Sequence, residues 1–211
     1  PKGMQKFLVS SAVLRQLDVK ACDALLGISN SGEILQQLVE RGLFTFSVDE
    51  NTYRYQRLFQ DFLFEQGNKI PGKMLALHKK AAAYFALNGN PEEAIFHLFE
   101  AGENDAAADL IETTAPRLLE IGRLRTIARW LNQLTESQMD EHPQLWLVSG
   151  EVYRLRSNFN PALEAYNRAE SVFRQRKDTL GRTLALRSQA QVYLDTIRPL
   201  KASSLLEEAI S

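Results

Sequence analysis

Small and large side chains recur in this chain with a strict period. Gly150, Tyr153, Ala162, Tyr166 and Ala169 are each followed 40 residues later by a counterpart: Ala190, Tyr193, Ala202, Leu206 and Ala209. A period of this size marks a stacked array of helix pairs, because one pair cannot bury its apolar face alone. The residue types fit that geometry. Glycine and alanine let antiparallel helices approach closely, and the aromatic or leucine side chain fills the space beside them. Residues 141–211 are therefore expected to hold repeats of an α-α superhelix that continue beyond the fragment. The chain opens Pro1-Lys2-Gly3 and stops inside a helical pattern at Ile210-Ser211, so a piece of a longer protein is expected.

The spacing Trp146-x-x-Ser149-Gly150-x-x-Tyr153, then Ala162-x-x-x-Tyr166-x-x-Ala169, fits the tetratricopeptide pattern. Ala82, Phe85, Ala94, Leu98 and Ala101 form a looser pair upstream. Asp105 to Leu134 reads as a degenerate pair, with Ala107, Leu110 and Ile111 on one helix and Ile127, Trp130, Leu131 and Leu134 on the other. Residues 73–135 are thus expected as a helical arm. Asn90-Pro91 and Asn160-Pro161 each suit an N-cap followed by a proline at the first helical position, and Pro143 and Pro199 also stand where helices should start.

The first 67 residues follow a different grammar. Lys6 to Leu17 carries Phe7, Leu8, Val13, Leu14 and Leu17 at near-helical spacing. Asp18 suits the cap of a short helix over Val19 to Leu26, and a third helix is expected from about Glu33 to Arg41, with Gly42 as its C-cap. The period then changes. Phe44, Phe46 and Val48 alternate with polar residues, which predicts a strand over 43–48. Asp49-Glu50-Asn51 supplies the turn, Thr52 to Tyr55 a returning strand, and Leu58 to about Gln66 a helix. Three helices and a hairpin make a winged helix. The expected fold is mainly α: a winged-helix module at 1–67, then a tetratricopeptide-like α-α superhelix.

Composition excludes several functions. Lys+Arg 25 against Asp+Glu 26 leaves a net charge of -1, with no basic surplus for nucleic acid. The third helix, where a winged helix reads DNA, offers Glu33, Gln36, Gln37, Glu40 and Arg41, a net negative set. No direct DNA contact by this fragment is expected. The apolar runs are short of a membrane span, and the single cysteine, Cys22, supports neither a disulfide nor a cysteine metal site. A cytoplasmic setting follows as the expectation. His78, His97 and His142 show no metal-ligand spacing, and His97 reads as a packing residue. There is no G-x-x-x-x-G-K-[ST] phosphate loop and no G-x-S-x-G elbow, so no metal, cofactor or catalysis is expected within these residues.

Tyr53-Arg54-Tyr55-Gln56-Arg57-Leu58-Phe59-Gln60-Asp61-Phe62-Leu63 resembles the winged-helix signature of MalT-like regulators, the LuxR-type transcription activators of the STAND class. Phe7-Leu8 to Leu17, Cys22-Asp23-Ala24-Leu25 and Leu38-Val39-Glu40-Arg41-Gly42-Leu43-Phe44 resemble the stretches before it. Glu93-Ala94-Ile95-x-His97, Ala107-x-x-Leu110-Ile111-Glu112 and Trp130-Leu131 are similar to the helices that follow in that family. The resemblance implies a middle segment that controls a nucleotide-dependent switch. The ATP/ADP-binding domain would lie in the same chain as a partner of this segment, and a DNA-binding helix-turn-helix would lie elsewhere. It also makes Gln56 a candidate sensor of nucleotide state. The family usually has histidine there, and glutamine can donate a hydrogen bond but carries no positive charge.

Within the array, the first helix of each pair lines the inner groove. Counting from the matched positions places Gln144, Glu151 and Arg154 there from one repeat and Arg187, Gln191 and Asp195 from the next. Hydrogen-bonding side chains of this kind suit a small-molecule inducer or a peptide, and an interaction scaffold is the alternative to a sensor. Arg117, Arg123, Arg125 and Arg129 form a local basic cluster, read first as a solvated helix face and second as an anion or acidic-partner site.

Overall fold

The computed structural model describes residues 2–196 and 199–210, the side chains of 2, 199–203 and 210 excepted. It divides into two compact units, Pro1–Glu103 and Asn104–Ser211. The division falls inside the stretch expected as one helical arm, so the first helix pair goes with the winged helix.

The first unit runs α1 (Lys2–Ser11), β1 (Leu17–Asp18), α2 (Val19–Leu26), α3 (Ser31–Glu40), β2 (Thr45–Ser47), β3 (Thr52–Tyr55), α4 (Arg57–Asn68), α5 (Lys73–Leu87) and α6 (Pro91–Glu100). Asp18 caps α2 as expected, accepting from the Ala21 amide at 2.9 Å. Gly42, at φ 65°, follows α3 in the left-handed conformation, and the next amide, of Leu43, donates back to Leu38 O at 2.9 Å. The helix expected over Lys6 to Leu17 ends at Ser11 instead. The Ser11 hydroxyl bonds the Phe7 carbonyl (2.8 Å) and meets the Tyr55 hydroxyl (2.8 Å), and the chain turns away. Leu17 and Asp18 then pair with Tyr53 and Thr52 as a short strand that two residues of sequence do not betray, giving the sheet order β1-β3-β2.

The hairpin alternates as expected, and its register decides which face is buried. Thr45 pairs with Tyr55, Phe46 with Arg54 and Ser47 with Tyr53. Directly opposed residues share a face. Tyr53 and Tyr55 are buried, so Thr45 takes the inner side, while Phe44, Phe46 and Val48 are 54%, 51% and 55% exposed. On the inner face Tyr55 meets the Ser11 hydroxyl, which gives its buried phenol a partner. Phe44, at φ 50°, precedes the strand and packs its ring, tilted by 36°, against Phe59 with centroids 5.3 Å apart.

In the pair α5–α6, Ala82, Ala94 and Ala101 are buried at the expected positions, and Asn90 caps α6 ahead of Pro91. His97 is buried as predicted, but it packs against a second buried histidine. His78 Nδ1 and His97 Nδ1 lie 2.9 Å apart. One must donate and the other accept, so at least the accepting ring is neutral. Burial pushes both pKa values down, to about 4 for His78 and about 3 for His97.

The second unit runs α7 (Asn104–Glu120), α8 (Leu124–Leu131), α9 (Glu136–Glu141), α10 (Gln144–Leu155), α11 (Phe159–Gln175), α12 (Thr179–Asp195) and α13 (Pro199–Ile210). The repeat pairs are α10–α11 and α12–α13. Thr135 and Gln138 form a reciprocal capping box on α9, a helix with no apolar period to announce it. The Asn160-Pro161 cap is displaced. α11 begins at Phe159 and Pro161 sits within its first turn, where amides lack helical acceptors and proline is tolerated. The repeat positions interlock: a methyl group on Gly150 would overlap the ring of Tyr166, itself 1% exposed. Gly181 stands in the same relation to Phe173, joining α12 to α11 outside the 40-residue register. Ala202 lies outside the described side chains.

Gly150→Ala gains helix propensity of about 1 kcal/mol but meets the Tyr166 ring, and overpacking costs about 1–3 kcal/mol. A net loss of stability is expected in urea unfolding. Adding Tyr166→Leu, the pairing that Ala190 and Leu206 already use, is expected to recover part of it. A double variant losing the full sum of the single losses would refute the interlock.

The histidine pair predicts acid sensitivity. Folding lowers both pKa values from 6.5. The stabilisation is therefore complete above pH 6.5 and declines as pH falls through 6.5 toward about 4. Between pH 7 and 5 the first unit is expected to lose roughly 2 kcal/mol per histidine. His97→Leu should flatten that slope, and an unchanged slope would rule the pair out as its source.

Candidate functional site

Five of the six predicted groove residues come together on α10 and α12. Glu151 from α10 lines a cleft of about 430 Å³ with Arg187, Ser188 and Gln191 from α12, and Leu184, Leu194 and Leu206 supply its apolar part. Arg154 and Asp195 stand beside it and bond each other across the two helices, Nη1 to Oδ2 at 2.7 Å. Gln144, exposed at the first residue of α10, does not join them. It precedes Glu151 by seven residues, about 10 Å along the helix.

The cleft wall is a closed network. Arg154 donates Nε to Glu151 Oε2 (3.0 Å) and Nη2 to Oε1 (2.6 Å), a bidentate fork. The Tyr166 hydroxyl donates to the same Oε2 at 3.0 Å, and Gln191 Nε2 donates to Asp195 Oδ1 at 2.8 Å. Arg154's hydrogen bonds hold Glu151 and Asp195 below the usual carboxylate range, against the opposing pull of burial, and the two carboxylates raise Arg154 in return. Burial pushes the Tyr166 phenol up, and the Glu151 charge adds to it. All four groups keep their resting charge near neutral pH. The sequence reading took Arg154 and Asp195 as ligand contacts, and the fold gives each an internal partner instead. Arg187 and Gln191 are exposed on the cleft.

Sequence reasoning missed Tyr166 as a polar participant, Ser188, and the three leucines. Leu184, Arg187, Ser188, Gln191 and Leu194 recur at helical spacing on α12, a signal present in the sequence but masked because both faces of this helix mix polar and apolar residues. Trp146, read as core, is half-buried and donates Nε1 to Asp140 at 3.0 Å, the carboxylate that also holds Arg168.

Gln56 belongs to the first unit. It stands at the N-cap of α4 with its side chain exposed and making no cap bond, while its amide donates to Phe44 O at 2.8 Å. Gln60, one turn on, is the glutamine committed to structure: its side-chain amide donates to the Ala12 and Leu14 carbonyls. The described residues contain no group of three or more His, Cys, Asp and Glu able to hold a metal ion, and no helix long and apolar enough to cross a membrane. Burial pushes the Cys22 thiol up to about 12, which keeps it unreactive.

Comparison with known proteins agrees with this architecture. Residues 1–72 match the MalT winged helix domain. The chain is 29% identical over 218 residues to the serine/threonine-protein kinase PknK of Mycobacterium tuberculosis, covering 99% of this chain and 20% of that protein. It is 28% identical over 216 residues to the HTH-type transcriptional regulator MalT of Serratia proteamaculans, covering 97% of this chain and 23% of the relative. The chain thus spans about a fifth of the length of the curated relatives it matches. Its fold is shared with a Pyrococcus horikoshii STAND protein with a tetratricopeptide repeat sensor, at a TM-score of 0.69 and 14% identity, covering 99% of this chain and 31% of that one. With a match to the MalT winged helix domain over residues 1–72 and relatives aligned along nearly its whole length, the chain is similar to MalT-like, STAND-class regulators.

Proposed function

We propose that this segment is the sensing and regulatory middle of a MalT-like transcriptional activator, and that an inducer or partner binds the α10–α12 cleft. The observation that carries this reading is the division of labour there. Glu151, Arg154, Tyr166 and Asp195 are spent on one another and brace the wall. Arg187, Ser188 and Gln191 line the cleft beside leucines. A braced wall with adaptable donors costs little ordering on binding. The segment itself holds no cofactor and performs no catalysis in this reading. ATP or ADP would bind a nucleotide-binding domain of the same, cytoplasmic, chain. That domain would cover Gln56 and the exposed hairpin face of Phe44 and Phe46. A ligand that binds the active arrangement better than the resting one shifts the switch by that difference and no more.

One finding favours a second reading, an interaction scaffold. A kinase relative aligns with the whole segment, so the same architecture accompanies a different output. In that case the cleft holds a peptide, with apolar side chains against Leu184 and Leu194.

The test is a thermal-shift screen of the 211-residue chain against sugars, nucleosides, amino acids, ADP, ATP and peptides. A ligand at 100 times its dissociation constant stabilises by about 2.7 kcal/mol. A small-molecule hit is expected to disappear in Arg187→Ala and Gln191→Ala, with the unliganded melting point of both variants unchanged. A hit indifferent to both substitutions would sink the cleft assignment. Peptide binding without small-molecule binding would select the scaffold.

A further inference from the structure

A second cleft, of about 270 Å³, lies in the first unit between the winged-helix sheet and the turn that joins α5 to α6. Gln16 and Asp18 line it from the sheet side, and Tyr84, Phe85, Asn88, Asn90 and Glu93 from the helix pair. Carboxylates, carboxamides and aromatic rings meet there, and no lysine, arginine or histidine is among the lining residues. We propose that this cleft binds the ammonium group of a small aliphatic amine.

The chemistry follows from what each polar group has already spent. Asp18 gives Oδ1 to the Ala21 amide at 2.9 Å, which caps α2, and keeps Oδ2. Asn88 donates Nδ2 to the Tyr84 carbonyl at 2.8 Å and keeps its acceptor, Oδ1. Asn90 accepts from the Glu93 amide at 3.3 Å and keeps a donor. Gln16 can serve either way. The Glu93 charge is answered by Arg15, whose Nε and Nη2 fork onto Oε2 and Oε1 at 3.1 and 2.5 Å. Asp18 therefore brings a charge that the lining leaves unanswered.

A carboxylate in open water needs no partner. Asp18 differs in its place, half-buried in a cleft with two half-buried aromatic rings. Burial raises the Tyr84 phenol, and the Asp18 charge raises it further, so the field of that carboxylate reaches the aromatic wall. The wall is held firmly. Phe85 stacks on the buried His97 ring, with centroids 5.5 Å apart and planes 3° apart, and meets Tyr84 edge-on at 5.3 Å. An ammonium donates three hydrogen bonds and accepts none, which suits Asp18 and Asn88, while aromatic faces attract a cation and cover its methylene stem. An anion would be repelled by Asp18. A neutral polyol would leave that charge without a counter-ion. This cleft shares no lining residue with the α10–α12 cleft and stands or falls separately from it.

Calorimetric titration of the 211-residue chain with n-butylamine, which is charged at neutral pH as lysine is, provides the test, with 1-butanol, butyrate and glucose as parallel arms. Millimolar or tighter binding of the amine is expected, weakening with added salt, and far weaker binding of the other three. Asp18→Asn removes the charge and keeps the helix cap, since asparagine caps as well as aspartate. It is expected to lose roughly tenfold in affinity or more at an unchanged melting point. Tyr84→Leu, which removes a ring from the wall, should weaken binding by a smaller factor. Glu33→Gln, outside the cleft, should bind as the parent does, and thermal melting of each variant checks its fold. Absence of amine binding at millimolar concentration, equal or tighter binding of 1-butanol, butyrate or glucose, or full affinity in either the folded Asp18→Asn or the folded Tyr84→Leu protein would overturn the proposal.

Discussion

The array depends on one close approach, that of α10 to the face of Tyr166. Glycine at position 150 lets the helix backbone rest on the ring, and the ring closes the space that a helix crossing would otherwise leave empty. The same ring carries the site's electrostatics. Its buried body ends in a hydroxyl that donates to Glu151, Glu151 holds Arg154, and Arg154 holds Asp195 on the next repeat. A packing contact inside one helix pair thereby fixes charged groups on the groove of two. Surface ion pairs of this type contribute little to stability alone. Here their value is positional, since the network fixes the wall beside which Arg187 and Ser188 line the cleft.

A parallel logic governs the winged helix. Tyr55 reaches the Ser11 hydroxyl in the core, on the face that the hairpin's register buries. With the tyrosines inside, Phe46 and Val48 point outward, and Phe44, just before the strand, meets Phe59. Phe44 and Phe46 thereby form an exposed aromatic face on the same module as Gln56, whose side chain makes no cap bond. Strand period, core chemistry and surface chemistry are three views of a single choice of register.

The two buried histidines satisfy one another through Nδ1 at the expense of two unpartnered Nε2 atoms, which ties α5 to α6 and makes neutrality a condition of the fold. The arginines show the converse. Where a carboxylate stands opposite, as for Arg154 and Arg168, they are structural staples.

Much of the architecture was legible in the residues. The 40-residue register of Gly150, Tyr153, Ala162, Tyr166 and Ala169 determined the repeat pairs, because close helix packing admits only small residues at those positions. Asp18, Asn90 and Gly42 announced helix ends, since capping is decided within a few residues of chain. The tyrosine-rich strand and the helix after it carried the family resemblance. The remainder needed three dimensions. The phase of the hairpin, the two-residue strand at Leu17 and the early end of α1 all follow from Tyr53 and Tyr55 meeting residues more than thirty positions away. The partnership of His78 with His97, and of Arg154 with Asp195, joins residues 19 and 41 positions apart. Sequence determined which side chains were able to serve the groove. Only the tertiary structure decided which of them were already committed, because a hydrogen bond between distant residues has no period to read.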